Sequence, residues 1–124
     1  MERILWVAAG GAIGAVLRYL VCLPLQGYSH SHFPIGTLSV NVLGSLLFGL
    51  LAALTQKAYP LNPELRLLLF TGFLGSFTTF STFAFETFAL LDQGRYLLGS
   101  LSFAANNALS ILCAFGAYRL AQGT

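Results

Sequence analysis

Charge is what this sequence has least of. Only 8% of its 124 residues are charged, six Lys or Arg and four Asp or Glu, against roughly 25% in an ordinary soluble protein. Ten such side chains cannot make a polar shell, so a small soluble domain is excluded. Hydrophobic residues make up 56% and the mean hydropathy is +0.77, which excludes a disordered chain as well. A net charge of +2 from scattered basic residues does not suit a nucleic-acid binder, and no nucleic-acid partner is expected. Cysteine is nearly absent: Cys22 and Cys113 are too few for a disulfide framework, and both sit in apolar runs where packing is the default. No nucleophile–base set, phosphate loop or pair of carboxylates placed for acid–base work is found. An enzyme is therefore not expected.

The charge-free stretches that remain define the class. Residues 19–56, 67–85 and 96–118 contain no Asp, Glu, Lys or Arg. About 20 apolar residues cross a hydrocarbon core of about 30 Å. The pattern predicts an all-α membrane protein, one transmembrane domain over 1–124 with helices near 4–25, 36–55, 65–91 and 96–120. The connections left over are short, and none holds a soluble domain. The first span is read as a retained helix, because Arg18 interrupts its apolar run and no small-x-small cleavage site follows. Leu20-Val21-Cys22 is no convincing lipoprotein site, since Val21 is bulky.

Lys and Arg near span ends set orientation. Arg3, Lys57, Arg66 and Arg119 fall on one side; Arg95, joined by Arg18 if it snorkels, falls on the other. The bias favours a cytoplasmic N-terminus, but it is modest and leaves both orientations open. Trp6 reads as an interfacial anchor. The His30-x-His32 pair reads as surface loop, with no third metal ligand nearby.

Small residues mark where helices can touch in lipid: Gly10 and Gly14 form a G-x-x-x-G, and Gly44, Ser45 and Gly49 lie in the second span. Packing without further function is the plain reading of both. Four helices are few to enclose an ion path, so a transport role would call for an oligomer.

The third span carries the most information. Residues 71–83 hold two glycines, six hydroxyls and four phenylalanines near mid-membrane. Gly75-Ser76 followed by Thr78-Thr79 is a poor helix centre. A break there needs protein or a polar cavity to satisfy the freed groups, and broken midplane helices recur at ion sites. The alternative is a continuous helix whose hydroxyls bond back to its own carbonyls.

The segment Gly72-Phe73-Leu74-Gly75-Ser76-Phe77-Thr78-Thr79-Phe80-Ser81-Thr82-Phe83 closely resembles the signature of the Fluc (CrcB) fluoride channels. Gly10-Gly11-Ala12-Ile13-Gly14 with Arg18, Gly36-Thr37-Leu38 with Asn41 and Gly44, and Glu86-Thr87 resemble other parts of the same family, so the likeness covers essentially the whole chain. Two positions depart: the family more often has Gly at Ser76 and Ser at Ala84. The resemblance implies a dual-topology antiparallel homodimer in the cell's inner (plasma) membrane, with two fluoride pores, each lined by both subunits. It implies passive export of fluoride and a structural sodium ion at the dimer centre, held by the carbonyls of Gly75 and Thr78. It singles out Phe80 and Phe83, Asn41, and a polar track of Ser102, Asn106 and Ser110.

The residues themselves agree. Fluoride is small and strongly hydrated, so a pore must replace its water with donors while binding weakly enough to release it. Neutral donors suit: the Asn41 amide and the hydroxyls of Thr37, Ser81, Thr82 and Ser110. Phenyl rings present a positive edge to an anion. Seven of the eleven phenylalanines lie between 70 and 88 and most must be packing; only the resemblance selects Phe80 and Phe83. Ser102, Asn106 and Ser110 recur every fourth residue and share a helix face, for which interhelical packing is the rival reading. Asn107 lies off that face and is assigned to packing. Arg18 and Glu86 fall at similar depth near one membrane face. They are expected to pair, or to share a polar network, at a pore mouth. A proton-coupled small multidrug antiporter is the competing function. It would need a carboxylate in the first helix, where this chain has Arg18. A structural membrane subunit is a third possibility, and it leaves the polar third span unexplained.

Overall fold

The computed structural model describes residues 1–28, 33–57 and 60–123; His30 and His32 lie outside the described residues. Its helices are α1 (Glu2–Tyr28) and α2 (Ile35–Lys57), then α3 over residues 63–77, α4 (Phe80–Asp92) and α5 (Tyr96–Gly123). Four spans are long and apolar enough to cross a membrane: Glu2–Leu25, Ile35–Gln56, Pro63–Asp92 and Tyr96–Gly123. The third comprises α3 and α4 and is broken between them.

Local chemistry sets the ends of that broken span. Asn62 caps α3, its side chain accepting from the Leu65 amide at 2.8 Å, with Pro63 opening the first turn, where a missing N–H costs nothing. At the far end, Gly94 takes φ +73°. The Gly94 amide then reaches the Leu91 carbonyl (3.0 Å) and the Arg95 amide reaches the Leu90 carbonyl (2.9 Å). Both bonds satisfy carbonyls that a helix end leaves free, and a side chain at that φ would be strained.

Inside α3 the helix widens. Leu67–Leu74 is a π-helix, between a four-residue α-turn and the turn Gly75–Phe77. This widened stretch lies against α1. A Cβ on Gly10 would collide with the Leu68 carbonyl, and one on Gly14 with the Phe73 carbonyl. The G-x-x-x-G pair therefore lets the two backbones meet, as small residues do in lipid.

The span then breaks. Thr78 (φ −82°, ψ 159°) and Thr79 (φ −150°, ψ 110°) are extended. The expected break at Gly75–Thr78 thus begins three residues later than its first residue: Gly75 is still helical (φ −63°, ψ −30°). Thr79 caps the next helix, its hydroxyl accepting from the Thr82 amide at 3.2 Å and donating to Thr82 Oγ1 at 2.9 Å. The helix stops where a capping side chain is available to restart it.

Buried positions are few and include polar ones. Val40, Ala53, Leu74, Phe77, Phe83 and Leu90 form the apolar core, while Thr37, Thr79, Thr87, Ser102 and Asn106 are buried beside it. Large apolar side chains cover the exterior, as a lipid-facing surface requires.

Candidate functional site

The break is held open by one side chain from α2. Asn41 Oδ1 accepts from the Thr79 amide at 2.8 Å, and Asn41 Nδ2 donates back to the Thr79 carbonyl at 3.2 Å. The carboxamide pairs with both backbone groups of Thr79, as a neighbouring strand would. The other Nδ2 proton goes to Asn106 Oδ1 on α5, at 2.9 Å. Asn106 Nδ2 in turn donates to the Ser102 carbonyl at 3.1 Å. Asn41 was expected to offer its NH₂ to an ion. In this structure both N–H groups are engaged with protein, and the residue braces the break.

This brace has a second effect. In a continuous helix the Thr79 amide would bond the Gly75 carbonyl, and the Thr82 amide the Thr78 carbonyl. The first goes to Asn41 and the second to the Thr79 hydroxyl. The Gly75 and Thr78 carbonyls are thereby left without helical donors at mid-span, where bare carbonyls are costly. They are neutral, hard oxygen ligands, the kind a monovalent hard cation accepts.

Beside the break lies a cavity of about 370 Å³. Asn41, Thr79, Phe80, Phe83, Asn106 and Ser110 line it, with Ser45 and Asn107. No acidic or basic side chain lines it. Thr79 and Phe80, at the N-terminal end of α4, form part of its wall, and that end of a helix carries partial positive charge. Phe80 and Phe83 meet edge to face, centroids 5.4 Å apart at 69°. Phe83 is buried, at 5% exposure, whereas Phe80 is 76% exposed. Ser110 Oγ is buried without a hydrogen-bond partner among the described residues.

A second cavity, of about 350 Å³, is lined by Thr37 and Glu86. The two face the same space, Thr37 from α2 and Glu86 from α4. Glu86 Oε2 is buried without a hydrogen-bond partner, so the expected pairing with Arg18 does not form. Arg18 and Glu86 both lie near Cys22 of α1.

The polar track divides. Asn106 and Ser110 line the first cavity. Ser102 is fully buried and its hydroxyl meets Thr87 Oγ1 at 3.1 Å. Ser81 and Thr82 are exposed and line neither of these cavities. Thr37 belongs to the second cavity. Asn107, assigned to packing, reaches the first cavity while its Nδ2 bonds back to the Phe103 carbonyl at 2.8 Å.

Thr79 and Thr87 are the members that sequence reasoning passed over. Thr87 lies four residues and Leu90 seven residues after Phe83, and all three are buried, so the helical period from Phe83 is the signal that finds it. Thr79 had a capping signal too, a hydroxyl three residues before Thr82.

Known proteins resemble the chain over nearly its whole length. The profile of the family described as CrcB-like protein, Camphor Resistance (CrcB), matches residues 5–118. A protein of Maridesulfovibrio salexigens named fluoride-specific ion channel FluC is 43% identical, over 98% of this chain and 97% of its own. Proteins of the same name from Rhizobium meliloti and Chlorobaculum tepidum are each 45% identical, over 97% and 98% of this chain and 96% of their own. With a break braced by Asn41 in its third span and a family match of this extent, the chain belongs to the CrcB family.

Proposed function

We infer that the protein is a fluoride-selective ion channel. The observation that carries this reading is the uncharged cavity at the helix break, where the buried Ser110 hydroxyl has no protein partner. Neutral donors, the ring edges of Phe80 and Phe83 and the positive end of α4 stabilise a small anion there. No fixed charge traps it, which conduction requires. The names of the relatives from Maridesulfovibrio salexigens and Rhizobium meliloti support the same reading.

Two subunits, inserted antiparallel, make the working unit, with two pores that each use both chains. The exposed Phe80, Ser81 and Thr82 then meet the partner or the pore. The Gly75 and Thr78 carbonyls of the two chains would hold a structural sodium ion, whose charge would offset their lost hydrogen bonds. Thr37 and Glu86, with Arg18 nearby, form a pore mouth. The protein lies in the inner (plasma) membrane and lets fluoride leave the cytoplasm down its gradient.

Liposomes reconstituted with the purified protein test the reading. Passive fluoride efflux with chloride retained is the expected result. Proton-linked efflux of an organic cation would replace the channel with a small multidrug-type antiporter.

A further inference from the structure

Spans two and four cross the membrane in the same sense, and α2 and α5 meet at matched positions. Asn41 bonds Asn106. Eight residues further along each helix, Gly49 faces Ala114 so closely that a Cβ on Gly49 would collide with the Ala114 carbonyl. Midway between these two contacts stand Ser45 and Ser110, and both line the Asn41 cavity. The close approach on either side keeps the two serines opposite each other.

Neither hydroxyl does what helical hydroxyls commonly do, which is to bond the carbonyl one turn back. Thr78 does so to Leu74 (3.0 Å) and Ser76 to Gly72 (2.8 Å). Ser110 Oγ has no partner although buried, and Ser45 makes no hydrogen bond to protein among the described residues. Two serines at matched turns of α2 and α5, each with a hydroxyl proton to donate, therefore line a cavity that has no carboxylate among the described residues and is walled by the positive end of α4. Asn107 adds one uncommitted N–H, since its other bonds Phe103.

We propose that the Ser45 and Ser110 hydroxyls form a separate anion-binding rung, one helical turn from the Asn41–Asn106 pair, at which Ser45 sets how tightly fluoride is held. The role of Ser45 rests on the channel reading; the existence of the rung does not. Asn41 has no free N–H, so the rung supplies donors that the braced amide cannot.

The test uses the full chain with Ser45→Ala, Ser45→Thr and Ser110→Ala. Alanine removes a hydroxyl that bonds nothing in the protein, so the variants fold, which elution as a single species checks. Initial fluoride efflux from liposomes is measured against fluoride concentration, and the broadening of the fluoride ¹⁹F resonance is followed in detergent. Each alanine raises the half-saturating fluoride concentration by roughly tenfold, the effect of one hydrogen bond to an ion, and Ser45→Thr returns it to near the original. Ser45→Ala with unchanged concentration dependence and unchanged broadening overturns the rung. If the original protein carries no fluoride, the channel reading falls and the broadening decides alone. Loss of broadening in Ser45→Ala then upholds the rung, and no broadening by the original protein rejects it.

Discussion

Helix α3 meets α1 backbone to backbone, whereas α2, α4 and α5 meet through side-chain amides and hydroxyls. At the first contact, glycines bring backbone against backbone, and the Ser76 hydroxyl bonds across to the Gly11 carbonyl. At the second, Asn41, Asn106, Ser102 and Thr87 link three helices by bonds of 2.9–3.1 Å and leave a cavity alongside. Both contacts are tight, but only one keeps unused donors. In lipid, where packing rather than water expulsion joins helices, the first arrangement makes a scaffold and the second leaves a donor-lined cavity, the path of the proposed channel.

Breaking the scaffold should have the largest effect. Gly14→Val puts a branched side chain into the Phe73 carbonyl and Ser76 Oγ. Neither helix can retreat without opening the contact, so the expected cost is about 3 kcal/mol. Folded protein should be nearly absent from detergent extracts. A variant that elutes normally and melts at the original temperature would mean that the α1–α3 contact is looser than described.

Breaking the polar contact should abolish conduction before it abolishes folding. Asn41→Leu leaves the Thr79 amide and carbonyl and the Asn106 Oδ1 without partners, each costing about 1–3 kcal/mol if it stays dry. The break should collapse or fill with water, and fluoride efflux should fall by about a hundredfold or more, the equivalent of about 3 kcal/mol. Efflux within threefold of the original would show that the brace is dispensable.

The contrast between the two contacts also explains what the sequence made legible. The spans could be read because charge is missing from long stretches, and the break because Gly75-Ser76 and Thr78-Thr79 disfavour a helix. The location of the break depends on Asn41, 38 residues away, so local composition put it too early. The π-helix at Leu67–Leu74 coincides with contacts to α1 that no local pattern encodes. Asn41 and Asn106 are singled out by the family resemblance, with residue type and spacing in agreement, but their mutual bond exists only in three dimensions. Ser81 and Thr82 follow Phe80 directly, and the helical rotation that brings Phe83 inward turns them out.

The ring pair sharpens the path's side of the comparison. Phe80→Ile and Phe83→Ile keep apolar bulk and remove the positive edge, worth about 1 kcal/mol at each ring. Efflux should fall by roughly tenfold in each while the protein still assembles. Phe83→Ile should also lower the melting temperature, since Phe83 is buried against Phe103 at 6.2 Å; Phe80→Ile, at an exposed position, should not. Unchanged efflux would assign that ring to packing. A smaller difference is expected between Asn106→Leu and Asn107→Leu. The first removes a bond to Asn41 and the second only a bond back to its own helix, so efflux should fall several-fold further in the first. The reverse order would mean that Asn107 faces the ion.

The smallest effect is expected where the two contacts adjoin. Ser76 Oγ lies 2.9 Å from the Gly11 carbonyl on α1 and 2.8 Å from the Gly72 carbonyl on its own helix. It stands two residues before the first extended residue, so it is the last side-chain link between scaffold and break. A hydroxyl has one proton and shares it between these carbonyls. Ser76→Ala therefore removes one hydrogen bond, worth about 1 kcal/mol, and leaves the glycine contacts that do most of the joining. The melting temperature should drop by a few degrees, on the order expected for that energy in a chain of this size. Fluoride efflux should stay within twofold, because the Asn41 brace and the Thr79 cap are untouched. A large loss of efflux with little change in melting would show that the hydroxyl positions the Gly75 carbonyl. The scaffold and the path would then be coupled through this residue rather than merely adjacent.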